Sequence, residues 1–258
     1  MKKIFVTLVI TFFYSSSFSQ YTYYAAAKAG LSMREQPNTN ARVLEKIAYG
    51  EKLITVADEG AQVAISTEGF NGFWWKVKYN NKTGYIVNSY VLPMPVPKAG
   101  TKTVSDYFAQ VSTKAGSPLV IKRSDPALNE TGEFTLTKQL FKNGMEWHHA
   151  QGYEFGSNLY MLPDFTIEQC FLLVRLLGQY PDLIGEKDAF PTKNSTIKNE
   201  FGDKAIEVVR EKYDGPKDPA GKPGPVRKVK IVSAQGAITE FEIFTLDTQA
   251  VIFWSSGV

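Results

Sequence analysis

Between Leu92 and Thr101 the chain reads Pro-Met-Pro-Val-Pro-Lys-Ala-Gly. Prolines at alternate positions hold φ at about −65° and withdraw backbone donors, so neither a helix nor an inner strand can run through residues 93–97. The segment 93–100 is expected to be an extended, exposed, semi-stiff linker. It divides the chain into residues 21–92 and 101–258, whose sequence textures differ.

Ahead of both lies a short cationic start, Met1-Lys2-Lys3. An apolar run from Ile4 to Tyr14 and a small-residue stretch from Ser15 to Ser19 follow it. This is the three-part layout of a secretory signal over residues 1–19, with cleavage before Gln20. The apolar run falls short of the ~20 residues that a bilayer span needs. Removing the signal leaves 258 − 19 = 239 residues and, with Lys2 and Lys3 lost, lowers the formal charge from +3 to +1. Such a balance argues against nucleic-acid binding, which needs a clear surplus of Lys and Arg. No cysteine lies near the cleavage point, so an exported protein that is not a lipoprotein is expected, periplasmic or secreted. No membrane span is expected after cleavage; the later stretch Ile167–Leu177 is about half the needed ~20 residues and is interrupted by Arg175. Cys170 is the single cysteine, so no internal disulfide can form and stability must come from core burial.

In residues 21–92 the apolar residues come in short clusters separated by turn signals. Tyr23–Ala29, Ala41–Ile47, Lys52–Ala57, Phe73–Tyr79 and Thr83–Val87 read as strands, the pattern of a small β-barrel. Asn80-Asn81-Lys82 is expected to close a tight hairpin, because Asn tolerates positive φ.

These residues carry a resemblance. Leu31-Ser32-Met33-Arg34 with Pro37, Val43-Leu44-Glu45-Lys46-Ile47 with Gly50-Glu51, Trp74-Trp75-Lys76-Val77-Lys78-Tyr79, and Gly84-Tyr85-Ile86 with Tyr90-Val91-Leu92 resemble, in order, the motifs of bacterial SH3 domains. The departure from that pattern is Asp58–Gly72, a longer connection than usual, containing its own Val63-Ala64-Ile65. The resemblance implies a binding module of exported proteins, taking a cell-wall peptide or an envelope protein partner, and it implies neither catalysis nor a cofactor. Strand alternation puts Trp75, Val77 and Tyr79 on the core face and Trp74, Lys76 and Lys78 on the other. Trp74 is therefore expected to be at least half exposed between lysines, suited to stacking on a sugar or peptide; an equal alternative is that it caps the barrel end or meets the second domain. Trp74 and Lys76 are candidate ligand residues, as are Tyr85 and Tyr90, although core and corner roles are the commoner ones for the two tyrosines.

Residues 101–258 mix periodicities, and no family resemblance is seen there. Val104–Val111 has helical spacing. Thr166–Gln179 reads as a largely buried helix with a Thr166/Gln169 capping box and a Gly178 stop. Lys204–Lys212 is expected to be helical, with a strand reading kept alive by Ile206-Glu207-Val208-Val209. Ser117–Arg123 and Phe134–Leu140 read as strands joined through Asp125-Pro126. Val226–Val232, Ile238–Thr245 and Ala250–Trp254 form a three-strand meander after a Pro/Gly-rich loop, Asp214–Pro225. The expected fold class is therefore an SH3-like barrel followed by an α+β domain, with helices packed on an antiparallel sheet.

Three catalytic or metal constellations can be weighed. Cys170 lies inside an apolar helix and follows both histidines in the chain, so a small buried hydrophobe is its expected role. His148 and His149 point to opposite faces of a strand and cannot both reach one ion, so no metal site is expected. Glu146, Glu154 and Asp164 supply carboxylates that a sugar hydrolase would need about 5–10 Å apart. The stretch Trp147–Pro163, rich in Gly, Tyr and Phe without clean periodicity, is where a pocket would be sought; Trp147, His148 and Glu154 join the ligand candidates. The leading expectation is a non-catalytic envelope-binding protein. A cell-wall hydrolase with an unfamiliar catalytic half and an envelope inhibitor or immunity-type protein are the alternatives.

Overall fold

The structure, a computed structural model, describes residues 21–56, 63–124, 132–198, 202–211, 224–235 and 237–257. The expected signal over residues 1–19, the expected turn at Asp58-Glu59-Gly60, the expected Asp125-Pro126 connection and residues 214–223 of the expected Pro/Gly-rich loop lie outside the described residues.

In the first stretch the described residues form β1 (Thr22–Ala25), β2 (Leu31–Arg34), β3 (Val43–Ile47), β4 (Lys52–Thr55), β5 (Ala64–Thr67), β6 (Phe70–Tyr79), β7 (Lys82–Val87) and β8 (Val91–Leu92). They pair in the order β3-β2-β7-β6-β4-β1-β8, with β5 joined to β6. The sheet rolls around Ala25, Met33, Ile47, Leu53, Val77 and Ile86, all fully buried. Asn80 and Asn81, at φ +46° and +59°, make the two-residue turn that fixes the register Tyr79↔Lys82. A second turn of this kind, Glu68-Gly69 at φ +50° and +78°, joins β5 to β6.

The second stretch contains α1 (Val104–Val111), β9 (Leu119–Ser124), β10 (Glu133–Leu140), β11 (Glu146–Gly152), β12 (Phe155–Leu162), α2 (Ile167–Leu177), β13 (Ser195–Ile197), β14 (Lys204–Arg210), β15 (Val226–Gln235), β16 (Ala237–Leu246) and β17 (Gln249–Gly257). All nine strands join one antiparallel sheet, β13-β14-β15-β16-β17-β12-β11-β10-β9. This corrects the expected α+β class: the C-terminal part is strand-dominated, and its described residues hold only two helices. The reason is physical. β11 and β12 lie inside the sheet with nearly every residue half-buried, so both faces are partly covered and no polar–apolar alternation marks them as strands. Lys204–Arg210, expected to be helical, is a strand. Its β-branched Ile206 and Val208 turn toward the core while Ala205, Glu207 and Val209 are exposed, a period of two.

Helix α2 starts and stops as its sequence requires. The Thr166 hydroxyl accepts from the Gln169 amide, the Gln169 side chain accepts from the Thr166 amide, and Gly178 takes the left-handed conformation at the C-terminus. The helix is a wedge between the two sheets rather than a layer. Its buried Phe171 and Cys170 share one hydrophobic cluster with Phe70 and Leu92 of the first sheet and Phe241 and Ile252 of the second. Gln169 also donates to the Val91 carbonyl at 3.2 Å.

The proline segment, expected to be an exposed linker, is drawn in at two residues, while Pro95 and residues 98–100 are exposed. Val96 and Pro97 are buried. The Tyr49 hydroxyl donates to the Pro97 carbonyl, and Gln110 of α1 donates to Val96 O while accepting from Lys98 N. Prolines cannot satisfy a neighbouring strand, but their carbonyls still accept, and side chains on both sides use them.

Candidate binding cleft at the seam

A cavity of ≈ 690 Å³ opens where the first sheet meets α2, a size and setting typical of small-ligand sites. Its walls come from three directions. One is the small-residue run Ala26-Ala27-Lys28-Ala29-Gly30 after β1, a second is Ile65, Thr67 and Glu68 of the β5–β6 hairpin, and the third is Arg175 and Leu176 of α2 with Glu186 and Lys187 beyond it. Trp74, Val87 and Tyr90 also line it.

The hairpin falls largely within residues 58–72, the connection expected from the sequence to be longer than usual. Its strand β5 pairs with the first half of β6, Ala64↔Phe73 to Thr67↔Phe70. Its turn reaches the C-terminal part, where Phe190 N donates to Glu68 O at 2.8 Å. The hairpin therefore does two things: it extends the barrel sheet, and it docks on the neighbouring unit to complete the cavity wall.

At that dock sits a buried cation. Arg175 is 9% exposed. Its Nη1 donates to Glu68 Oε2 at 2.9 Å and to Asp188 O at 3.0 Å, and its guanidinium lies 5.2 Å from the centre of the Phe70 ring. The Tyr90 hydroxyl is pushed up to about 12 by burial and by the charge and hydrogen bond of Glu68, against the opposing effect of Arg175. At the mouth Lys28 pairs with Glu186 at 2.7 Å, an exposed bridge of small energetic weight. Among the described residues that line the cavity, the cations Lys28, Arg34, Arg175 and Lys187 stand against two carboxylates, Glu68 and Glu186. The cleft is thus apolar at its floor and carries a cationic surplus.

The sequence candidates divide. Trp74 and Tyr90 both line this cavity. Trp74 is 6% exposed, not half exposed as expected. Its face of β6 looks into the cavity, and β5 pairs alongside, with Trp74 N donating to Val63 O. Lys76 and Tyr85 stand opposite each other on β6 and β7, one row beyond the Trp74↔Val87 pair, with the lysine ammonium 6.0 Å from the tyrosine ring centre. They prolong the same face.

Trp147, His148 and Glu154 lie elsewhere, in the large sheet. Trp147 stacks on His149 and donates to Asn158 at 3.0 Å. His148 Nε2 is 2.9 Å from Glu146, which Lys138 also contacts at 2.6 Å. The two histidines take separate partners on opposite faces, since His149 contacts Ser157 O and Asn158. Glu154 is exposed at φ +61° in the turn after β11, while Glu146 opens that strand. At about 3.3 Å per residue, seven strand residues set the backbone positions of Glu146 and Glu154 about 20 Å apart, which does not suit a hydrolytic pair. A more open depression of ≈ 730 Å³ near Gln151 and Tyr153 touches none of these three candidates. Cys170 is fully buried and burial pushes its thiol up, which removes nucleophilic character. Among the described residues no cluster of three metal-capable side chains occurs.

In the sequence Arg175 stands out only as a charge interrupting an apolar helix. That was the available signal, because a cation on a buried helix demands an anionic or ring partner. Glu68 had no comparable signal.

Residues 29–91 match the family model of the bacterial SH3 domain. The match covers the rolled sheet from just before β2 to the start of β8 and includes the β5–β6 hairpin. No curated protein and no solved structure matches the chain.

Proposed function

We propose that this chain is an exported, non-catalytic binding protein of the cell envelope, and that its ligand, a cell-wall peptide or an envelope protein, enters the cleft between the SH3-type sheet and α2. The observation that carries this reading is the cleft itself, in which an apolar floor with Trp74 and a cationic surplus are assembled from both parts of the chain. The SH3 match supports a binding role for the first part, and the signal-like residues 1–19 support export.

Co-sedimentation with purified cell-wall sacculi tests it. The full chain is expected in the pellet, and the rim variant Lys28→Glu/Lys187→Glu in the supernatant. Retention of both to the same extent would remove the cleft from the argument. Clearing of the sacculi by the protein would replace binding with hydrolysis.

A further inference from the structure

We propose that the cleft takes the free C-terminal carboxylate of a short peptide with small apolar side chains, and that Arg175 receives this carboxylate by releasing Glu68. The inference rests on the reading of the cleft as a ligand site and specifies what the ligand must present.

Arginine stays charged under all ordinary conditions, and a guanidinium this deeply buried needs an anion beside it. Glu68 supplies one, yet it is poorly suited to keep the place. Its side chain is 52% exposed, it sits at the tip of a two-residue hairpin turn, and it reaches the guanidinium by one contact, Nη1 to Oε2. A carboxylate entering the cavity can engage the planar fork through both oxygens, a stronger and more directional arrangement. Release of Glu68 is offset in two ways: water solvates its half-exposed carboxylate, and the incoming carboxylate takes its place beside the buried guanidinium.

The hairpin need not move for this exchange. Phe190 N holds the Glu68 backbone carbonyl, not its side chain, so the carboxylate swings out while the wall stays docked. Tyr90 lines the same cavity, and its hydroxyl is influenced by both Glu68 and Arg175. Trp74, Leu176 and Ala27 line the same cavity and offer apolar surface to small side chains. Lys28 and Lys187 at the mouth raise the local concentration of an anionic chain end.

Calorimetric titration of the full chain with N-acetyl-trialanine as the free acid, and with its C-terminal amide, tests the proposal. The acid is expected to bind at least roughly tenfold more tightly than the amide, and Arg175→Lys, which keeps the charge and loses the fork, to weaken the acid by a similar factor. Because a substitution at a buried position can unfold the chain, Glu68→Gln is the decisive variant. It is exposed, and it is expected to tighten binding of the acid severalfold while leaving the amide unchanged. Equal affinities for acid and amide, no binding of either at millimolar concentration, or a weaker acid complex in Glu68→Gln would each overturn the proposal. Sacculus retention separates the two ideas. Retention without discrimination between acid and amide defeats the carboxylate inference and leaves the binding reading standing, whereas tight acid binding without retention does the reverse.

Discussion

Gly69 and Phe190 meet so closely that a Cβ added to the glycine would run into the phenylalanine's carbonyl oxygen. Gly69 also has φ +78°, a conformation that only glycine adopts without strain. The two constraints come from different sources, one from the hairpin turn and one from the neighbouring unit, and they coincide at the residue that joins the two sheets. Gly69→Ala is therefore expected to lower stability by about 1–3 kcal/mol, through overpacking and backbone strain together. Urea unfolding followed by Trp fluorescence measures it; an unchanged midpoint would mean that the hairpin is not docked.

Phe70 lies one residue further on and is fully buried. It contacts Tyr90, Phe171 and Phe190 with ring centres 5.5–6.0 Å apart and lies under Arg175. Phe70→Ala is expected to cost about 3–5 kcal/mol, the range for a large aromatic removed from a core. Because the cluster is shared between both sheets, the wild-type chain should unfold in one transition. Two separated transitions in the wild type would show that the units fold independently.

Cys170 offers a chemical probe of the same core. Burial pushes its thiol up and leaves no exposed surface, so an aromatic disulfide reagent should label it only after denaturant is added. Cys170→Ser is expected to lower stability by roughly 1–3 kcal/mol, the cost of a buried hydroxyl short of partners, without changing sacculus retention. Rapid labelling of the native protein would contradict the placement of this helix face.

The Glu146 carboxyl gives a pH test. Burial draws it upward, but hydrogen bonds and charges from Lys138 and His148 together outweigh that and hold it below its usual value. A carboxyl held low in the folded state adds stability that is complete above the unfolded value and is lost as pH falls through the folded one. On acidification below about pH 4.5, Glu146→Gln should therefore lose less stability than the wild type. Urea midpoints measured across that range decide it, and parallel acid limbs would show that the Lys138–Glu146–His148 cluster contributes nothing.

Where local physics was sufficient, the structure was legible from residues alone. Two asparagines announced the hairpin at 80–81, the Thr166/Gln169 box and Gly178 bounded α2, and four ordered motifs identified the SH3-type sheet. The central strands β11 and β12 left no such trace, because residues half-covered on both faces have no reason to alternate. Arg175 is visible in the sequence as an anomaly without its partner, and strand alternation puts Trp74 on the outer face of β6 without deciding between a ligand and the second domain in front of it.

The order of residues determined turns, caps, strand faces and the one core that a bacterial SH3 sheet encloses, since each depends on neighbours a few positions away. The joining of the two halves was decided by contacts 78 or more residues apart in the chain, Val91 with Gln169, and Glu68 with Arg175 and Phe190. Pairings at that separation depend on how whole sheets come to rest against a shared helix, and no local pattern of side chains encodes them.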